Sequence, residues 1–147
     1  EAIKRSDITD GIVPFHKLSQ WMSYSLIEPL QLAGMKIVNL DALTGLAEYR
    51  NGGLFIDTGT ISLRDKAQME NVHDPKSPLI VEWRALTVTL LDQLAEQIRQ
   101  HLNTNSESMP LVSILQGGTW SAGRRIAQQL RAGATPPLRL KSRGTIF

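Results

Sequence analysis

Pro78-Leu79-Ile80-Val81-Glu82-Trp83-Arg84-Ala85-Leu86-Thr87-Val88-Thr89-Leu90-Leu91 is the stretch that decides the fold. Its proline suits the first turn of a helix. Ile80, Trp83, Thr87, Leu90 or Leu91, Leu94 and Ile98 recur at the three-and-four spacing of a helical stripe. The pattern predicts one long helix over about 78–101. Its first half is apolar almost all round, which predicts a central position with other helices packed about it. The second half is amphipathic and runs out at Asn103.

Downstream, residues 103–108 read as a loop and 109–116 as a helix. Gly117-Gly118 should break that helix. Thr119 can cap another, which Gly133 and Pro136-Pro137 end. Upstream, Asp10 as a cap and Pro14 in the first turn open a helix. Its apolar stripe is Phe15, Leu18, Met22, Leu26, Leu30 and Ala33. Pro29 predicts a kink or break near Glu28, and Gly34 a stop. His16, Gln20 and Tyr24 form a row beside the stripe, and Lys17, Trp21 and Ser25 form a second. Neutral hydrogen-bonding groups next to a tryptophan read as a cleft wall.

Between these helices, 35–40 reads as extended and Asp41 as the cap of a helical turn. Asn51-Gly52-Gly53 carries turn chemistry. Leu54-Phe55-Ile56 and Ile61-Ser62-Leu63 flank Asp57-Thr58-Gly59-Thr60 as a hairpin. Leu138-Arg139-Leu140 and Thr145-Ile146-Phe147 suggest a second. The expected class is α+β, mainly helical, with one or two small hairpins, as a single domain over 1–147.

Composition agrees with a soluble domain large enough for a core: 147 residues, 41% apolar and 20% charged. The net charge of +2 is dispersed. Only Arg124-Arg125 and Arg139, Lys141 and Arg143 cluster, too thin a stripe for nucleic acid. No apolar run has membrane-spanning length, and no signal-peptide pattern opens the chain. The absence of cysteine excludes a disulfide, a thiolate nucleophile or a zinc–thiolate site within this sequence. His16, His73 and His101 lack ligand spacing, and there is no phosphate loop or nucleophile elbow. No metal or cofactor is therefore expected. The start at Glu1 rather than Met suggests a fragment of a longer protein.

Three places can carry chemistry. Glu82 and Arg84 bracket Trp83 in the most apolar helix. Residues two apart cannot pair on a helix, so each needs a partner from elsewhere if buried. Arg50 for Glu82, and Glu48 or Asp57 for Arg84, are the candidates, and a purely structural ion-pair network is the alternative. Gly117-Gly118-Thr119-Trp120 places two glycines and a hydroxyl before a helix, with Arg124 and Arg125 following. That suits an anion, or a tight helix corner. His16 is a possible general acid–base group, or a histidine satisfied within a helix interface. Lys17 otherwise reads as a solvated lysine, and Asp57 as a turn residue.

Taken together, several motifs resemble one family. They are the run from Gly11 to Trp21, Leu43-Thr44-Gly45-Leu46, Glu48-Tyr49-Arg50-Asn51-Gly52-Gly53, Val81-Glu82-Trp83-Arg84-Ala85-Leu86-Thr87, and Gly117-Gly118-Thr119-Trp120. In order and wording they are similar to the C-terminal region of the uracil-catabolism protein family of the URC (urg) pathway. That resemblance implies a cytoplasmic protein needed to use uracil as a nitrogen source, through ribosylurea-type intermediates. The expected reaction is hydrolysis of an N-glycosidic bond in a ribosyl phosphate. Such chemistry needs a carboxylate, from Glu48, Asp57 or Glu82. It needs a phosphate holder, from Arg50, Arg84, Lys17 or the Gly117-Gly118-Thr119 corner. His16 or Gln20 would orient the ureido group, and Trp21, Asn51 and Trp120 complete the expected substrate contacts. The expected partner is a pyrimidine-derived small molecule, with no nucleic acid and no membrane. A non-catalytic binding or scaffold protein of the same pathway is the alternative. A shorter likeness, Gln20-Trp21-Met22 with Glu48-Tyr49-Arg50, resembles queuosine-salvage nucleotide hydrolases.

Overall fold

A computed structural model describes residues 6–8, 10 and 17–141. His16, the start of the first motif and the segment Thr145-Ile146-Phe147 lie outside the described residues. The architecture is mainly helical α+β, as the patterning predicts. Helix α1 spans Lys17–Leu32, α2 Tyr49–Asp57, α3 Pro78–His101, α4 Leu111–Ile114 and α5 Trp120–Leu130. Strands β1 (Val72–His73) and β2 (Arg139–Leu140) pair in parallel, Val72 opposite Arg139 and His73 opposite Leu140. Among the described residues no helix is long and apolar enough to cross a membrane.

Helix α3 has the predicted bounds. Pro78 stands at its start, where a missing N–H costs nothing. Ile80, Trp83, Thr87, Leu91 and Ala95 make its buried stripe. The middle position in the packing belongs to α2, which contacts both α3 and α5.

The hairpin expected over Leu54–Leu63 is not formed. Leu54-Phe55-Ile56 lies inside α2, and the chain from Ile61 to Leu63 has no strand. The reason is packing. Asn51, Gly52 and Gly53 are buried in this helix, not placed at a turn tip. The Trp83 indole N–H donates to the Gly52 carbonyl at 3.0 Å. A Cβ on Gly52 would lie 2.6 Å from Thr87 Oγ1 and 2.9 Å from Trp83 Nε1. Glycine inside a helix costs about 1 kcal/mol in propensity, and close approach of α3 to α2 offsets that cost. Of the second expected hairpin, Arg139–Leu140 is a strand and pairs with Val72–His73, while its expected other arm lies outside the described residues.

Helix α1 continues through Pro29 and ends in a left-handed glycine, Gly34 at φ 81°. The N–H groups of Met35 and Gly34 close back onto Leu30 and Gln31, the Schellman pattern. Its burial reverses the expectation. The buried residues are Gln20 and Tyr24, whereas the predicted stripe is exposed: Leu18 at 46%, Met22 at 61% and Leu26 at 48%. Tyr24 fixes this orientation, because its ring joins the main core and its hydroxyl donates to Thr44 O at 2.9 Å.

The core has two parts. Tyr24, Leu46, Phe55, Leu91, Ala95, Leu111, Ile114 and Leu115 pack together. Ala47, Ile80, Trp83 and Leu138 form the other cluster.

Candidate functional site

Glu48 starts the site by starting a helix. Its backbone is extended and its carboxylate caps α2. Oε2 accepts the N–H of Arg50 at 2.9 Å and that of Asn51 at 3.4 Å. Oε1 accepts Arg50 Nη1 at 2.8 Å. The first motif carboxylate is thus paired with the motif's own arginine, two residues on. Glu48 is buried, and burial pushes its carboxyl above the ordinary carboxylate value. The Arg50 charge and these hydrogen bonds oppose that rise.

Lys17, at the start of α1, faces the same group. Burial lowers its ammonium below the ordinary lysine value; Glu48 counteracts this, and the like charges of Arg50 and Arg84 add to it. Arg84 is buried on α3, and burial lowers it too. Lys17, Glu48, Arg50 and Arg84, drawn from three helices, therefore share one electrostatic neighbourhood. One turn after Lys17, Gln20 is buried, and its carboxamide oxygen has no hydrogen-bond partner among the described residues. A buried unpaired acceptor costs about 1–3 kcal/mol, so it is a natural position for a ligand donor.

Beside this cluster lies an apolar cavity of about 290 Å³ lined by Trp21, Leu46, Asn51, Val112, Leu115, Gln116 and Trp120. Trp21, Asn51 and Trp120 were the expected contacts, and the structure brings them together. Asn51 is spent internally: its Nδ2 donates to Leu46 O at 3.3 Å and its Oδ1 accepts Thr119 Oγ1 at 3.0 Å. It lines the cavity with both ends of its carboxamide bonded within the protein. Arg50 lies over the Trp120 ring at 5.0 Å and over Tyr49 at 4.3 Å.

Other expectations are corrected. Asp57 is not free for catalysis. It holds Arg131 through Nη1–Oδ1 at 2.7 Å and Nη2–Oδ2 at 2.5 Å, with its side chain only 3% exposed. Glu82 is exposed and does not meet Arg50. It lines a separate groove of about 470 Å³ with Ile56, Leu63, His73 and Leu138, because residues two apart on α3 point to different sides. The Gly117-Gly118 break is absent. Helix α4 passes through a π-helical turn, Leu115–Thr119, directly into α5. The N–H of Trp120 donates to Leu115 O, so there is no free helix N-terminus for an anion at Gly118 and Thr119. Val112, Leu115 and Gln116 escaped the sequence reading because they carry no charge or motif signal, and Leu46 because its motif offers no side-chain chemistry there. Arg131 escaped because its partner is 74 residues away.

These features define a mainly helical α+β domain in which an aromatic-walled cavity adjoins a buried charge cluster. Residues 1–147 match the family described as "Protein of unknown function (DUF1688)", and the chain belongs to it. Protein urg3 of Schizosaccharomyces pombe is 47% identical over 141 residues, which cover 94% of this chain and 35% of the relative. Uracil catabolism protein 4 of Lachancea kluyveri is 41% identical over 156 residues, again 94% of this chain and 35% of the relative. The chain therefore spans about a third of the length of these curated relatives. The membership expected from the motifs is borne out. No solved structure matches.

Proposed function

We propose that this chain serves uracil catabolism by holding a ribosylated, ureido-type intermediate between Trp21 and Trp120 while its N-glycosidic bond is hydrolysed in the cytosol. The names of the two relatives support the pathway. The observation that supports the ligand class is the cavity in which both motif tryptophans and Asn51 meet. Flat conjugated groups stack well on such rings. In this reading Gln20 Oε1 accepts a ureido N–H, and Glu48, which keeps acceptor capacity on Oε1, stabilises the oxocarbenium-like centre. The test is incubation of the whole protein with ribosylurea and its 5-phosphate, with urea release as the readout. Glu48→Gln should lower turnover by about a hundredfold or more. Wild-type inactivity on both compounds would remove the hydrolytic mechanism.

One observation favours a second reading, binding without catalysis. Glu48 already accepts three hydrogen bonds, as a structural cap does. Calorimetric binding of ribosylurea without urea release would decide for it.

A further inference from the structure

A further pocket, of about 450 Å³, shares no lining residue with the apolar cavity. Tyr49, Arg50, Arg124, Gln128, Arg131 and Ala132–Ala134 line it. We propose that this basin binds a phosphomonoester dianion, held by Arg50, Arg124 and Arg131.

Three arginines line one concavity, and among the described residues no carboxylate does. Glu48 and Asp57 hold two of them, Arg50 at 2.8 Å and Arg131 at 2.7 and 2.5 Å. Those carboxylates lie off the lining and act as braces: they fix the planes of the guanidinium groups without filling their donor capacity. Arg131 also donates Nε–H to Thr135 O at 2.7 Å. Of the five N–H donors of a guanidinium, it keeps two. Arg124 has no carboxylate partner among the described residues. It lies over the Trp120 ring at 5.7 Å, which orients it at little entropic cost. Arg124 and Gln128 are four apart on α5 and so share one face. The bound charge is therefore three cations against two braced anions, an excess of one positive charge. The C-terminal end of α5 opposes this with about half a negative charge, which leaves the basin cationic. Planar, braced guanidinium groups are the residues best matched to phosphate oxygens.

Trp120 ties the basin to the aromatic cavity. Its ring lines that cavity, while Arg50 and Arg124 lie over it within 6 Å. A ribosyl phosphate with its ureido group on the cavity side and its phosphate in the basin would span the two. That last assignment rests on the proposed function; phosphate binding does not.

The experiment measures binding of inorganic phosphate, ribose 5-phosphate and ribose to the whole protein by calorimetry, at constant ionic strength. Phosphate and ribose 5-phosphate should bind and ribose should not. Arg124→Met, which keeps the stem on Trp120, should weaken both anions about tenfold or more, and Gln128→Ala less. Stronger binding of ribose 5-phosphate than of phosphate marks a substrate phosphate; equal binding marks a free-phosphate site. No phosphate binding in the millimolar range, or unchanged binding by Arg124→Met, would overturn the proposal. Intact phosphate binding without urea release would instead count against the hydrolytic reading alone.

Discussion

Thr119 Oγ1 donates to Asn51 Oδ1 at 3.0 Å, joining two buried side chains 68 residues apart in sequence. The bond ties the π-helical turn to the start of α2, and Asn51 Nδ2 carries the tie on to Leu46 O. Leu46, Asn51 and Trp120, which follows Thr119, all line the apolar cavity. Thr119→Val keeps the shape and leaves Asn51 Oδ1 unpaired in a dry place. It should cost about 1–3 kcal/mol in urea unfolding. Adding Asn51→Leu should cost less than the two single changes summed, because the orphaned group is then gone. Strict additivity would show that the two residues do not act as a pair.

The glycines divide into two classes that substitution can separate. A Cβ on Gly123 would collide with the Arg50 carbonyl oxygen, whereas nothing lies within 4 Å of one on Gly117 or Gly118. Gly123→Ala should destabilise by about 2 kcal/mol or more through overpacking of backbone on backbone. Gly117→Ala and Gly118→Ala should be neutral or raise stability by up to about 1 kcal/mol. Loss of phosphate binding in the Gly118→Ala protein would point back to the glycines as an anion cradle.

Asp57 and Arg131 make a mostly buried bidentate pair. Asp57→Asn leaves Arg131 with an unneutralised charge and should cost about 3 kcal/mol. The thermal midpoint reports it. A variant with wild-type stability but no turnover would return Asp57 to a catalytic role.

Tyr24 sets a pH limit. Burial, then the charges of Asp92 and Asp41, raise its phenol from 10.0 to about 12. Its stabilising share is whole below the ordinary tyrosine value and is lost as pH rises through about 12. Stability should therefore fall through that window, alongside the rise of tyrosinate absorbance. Tyr24→Phe should remove this step and, at neutral pH, cost about 1 kcal/mol for the lost bond to Thr44 O.

The long helix α3 was legible because its stripe and its first-turn proline agree on one answer. The short helix α2 was not. Asn51-Gly52-Gly53 has the composition of a turn, and the pressure that makes it helical comes from Trp83 and Thr87 on another helix. Gly117-Gly118 misled in the same way, since a π-helical turn absorbs the pair without a break. In α1, periodicity found the helix but not its buried side: Leu18, Met22 and Leu26 read as core by hydropathy, yet Tyr24 and Gln20 face inward. At the site, the aromatic and polar motif residues were legible as a group. Partner choice was not, because Glu48–Arg50 and Asp57–Arg131 are set by helix capping and long-range packing.

The π-helical turn at Leu115–Thr119 has one consequence for sequence length. A π turn holds one residue more than an α-helical turn. Deleting a single residue there would rotate everything that follows by about 100° relative to α4. Thr119 would swing away from Asn51, Trp120 from the Trp21 cavity and Arg124 from the basin, all together. The phase of one helix, set by a single extra residue, keeps the indole in the cavity wall and beneath Arg50 and Arg124.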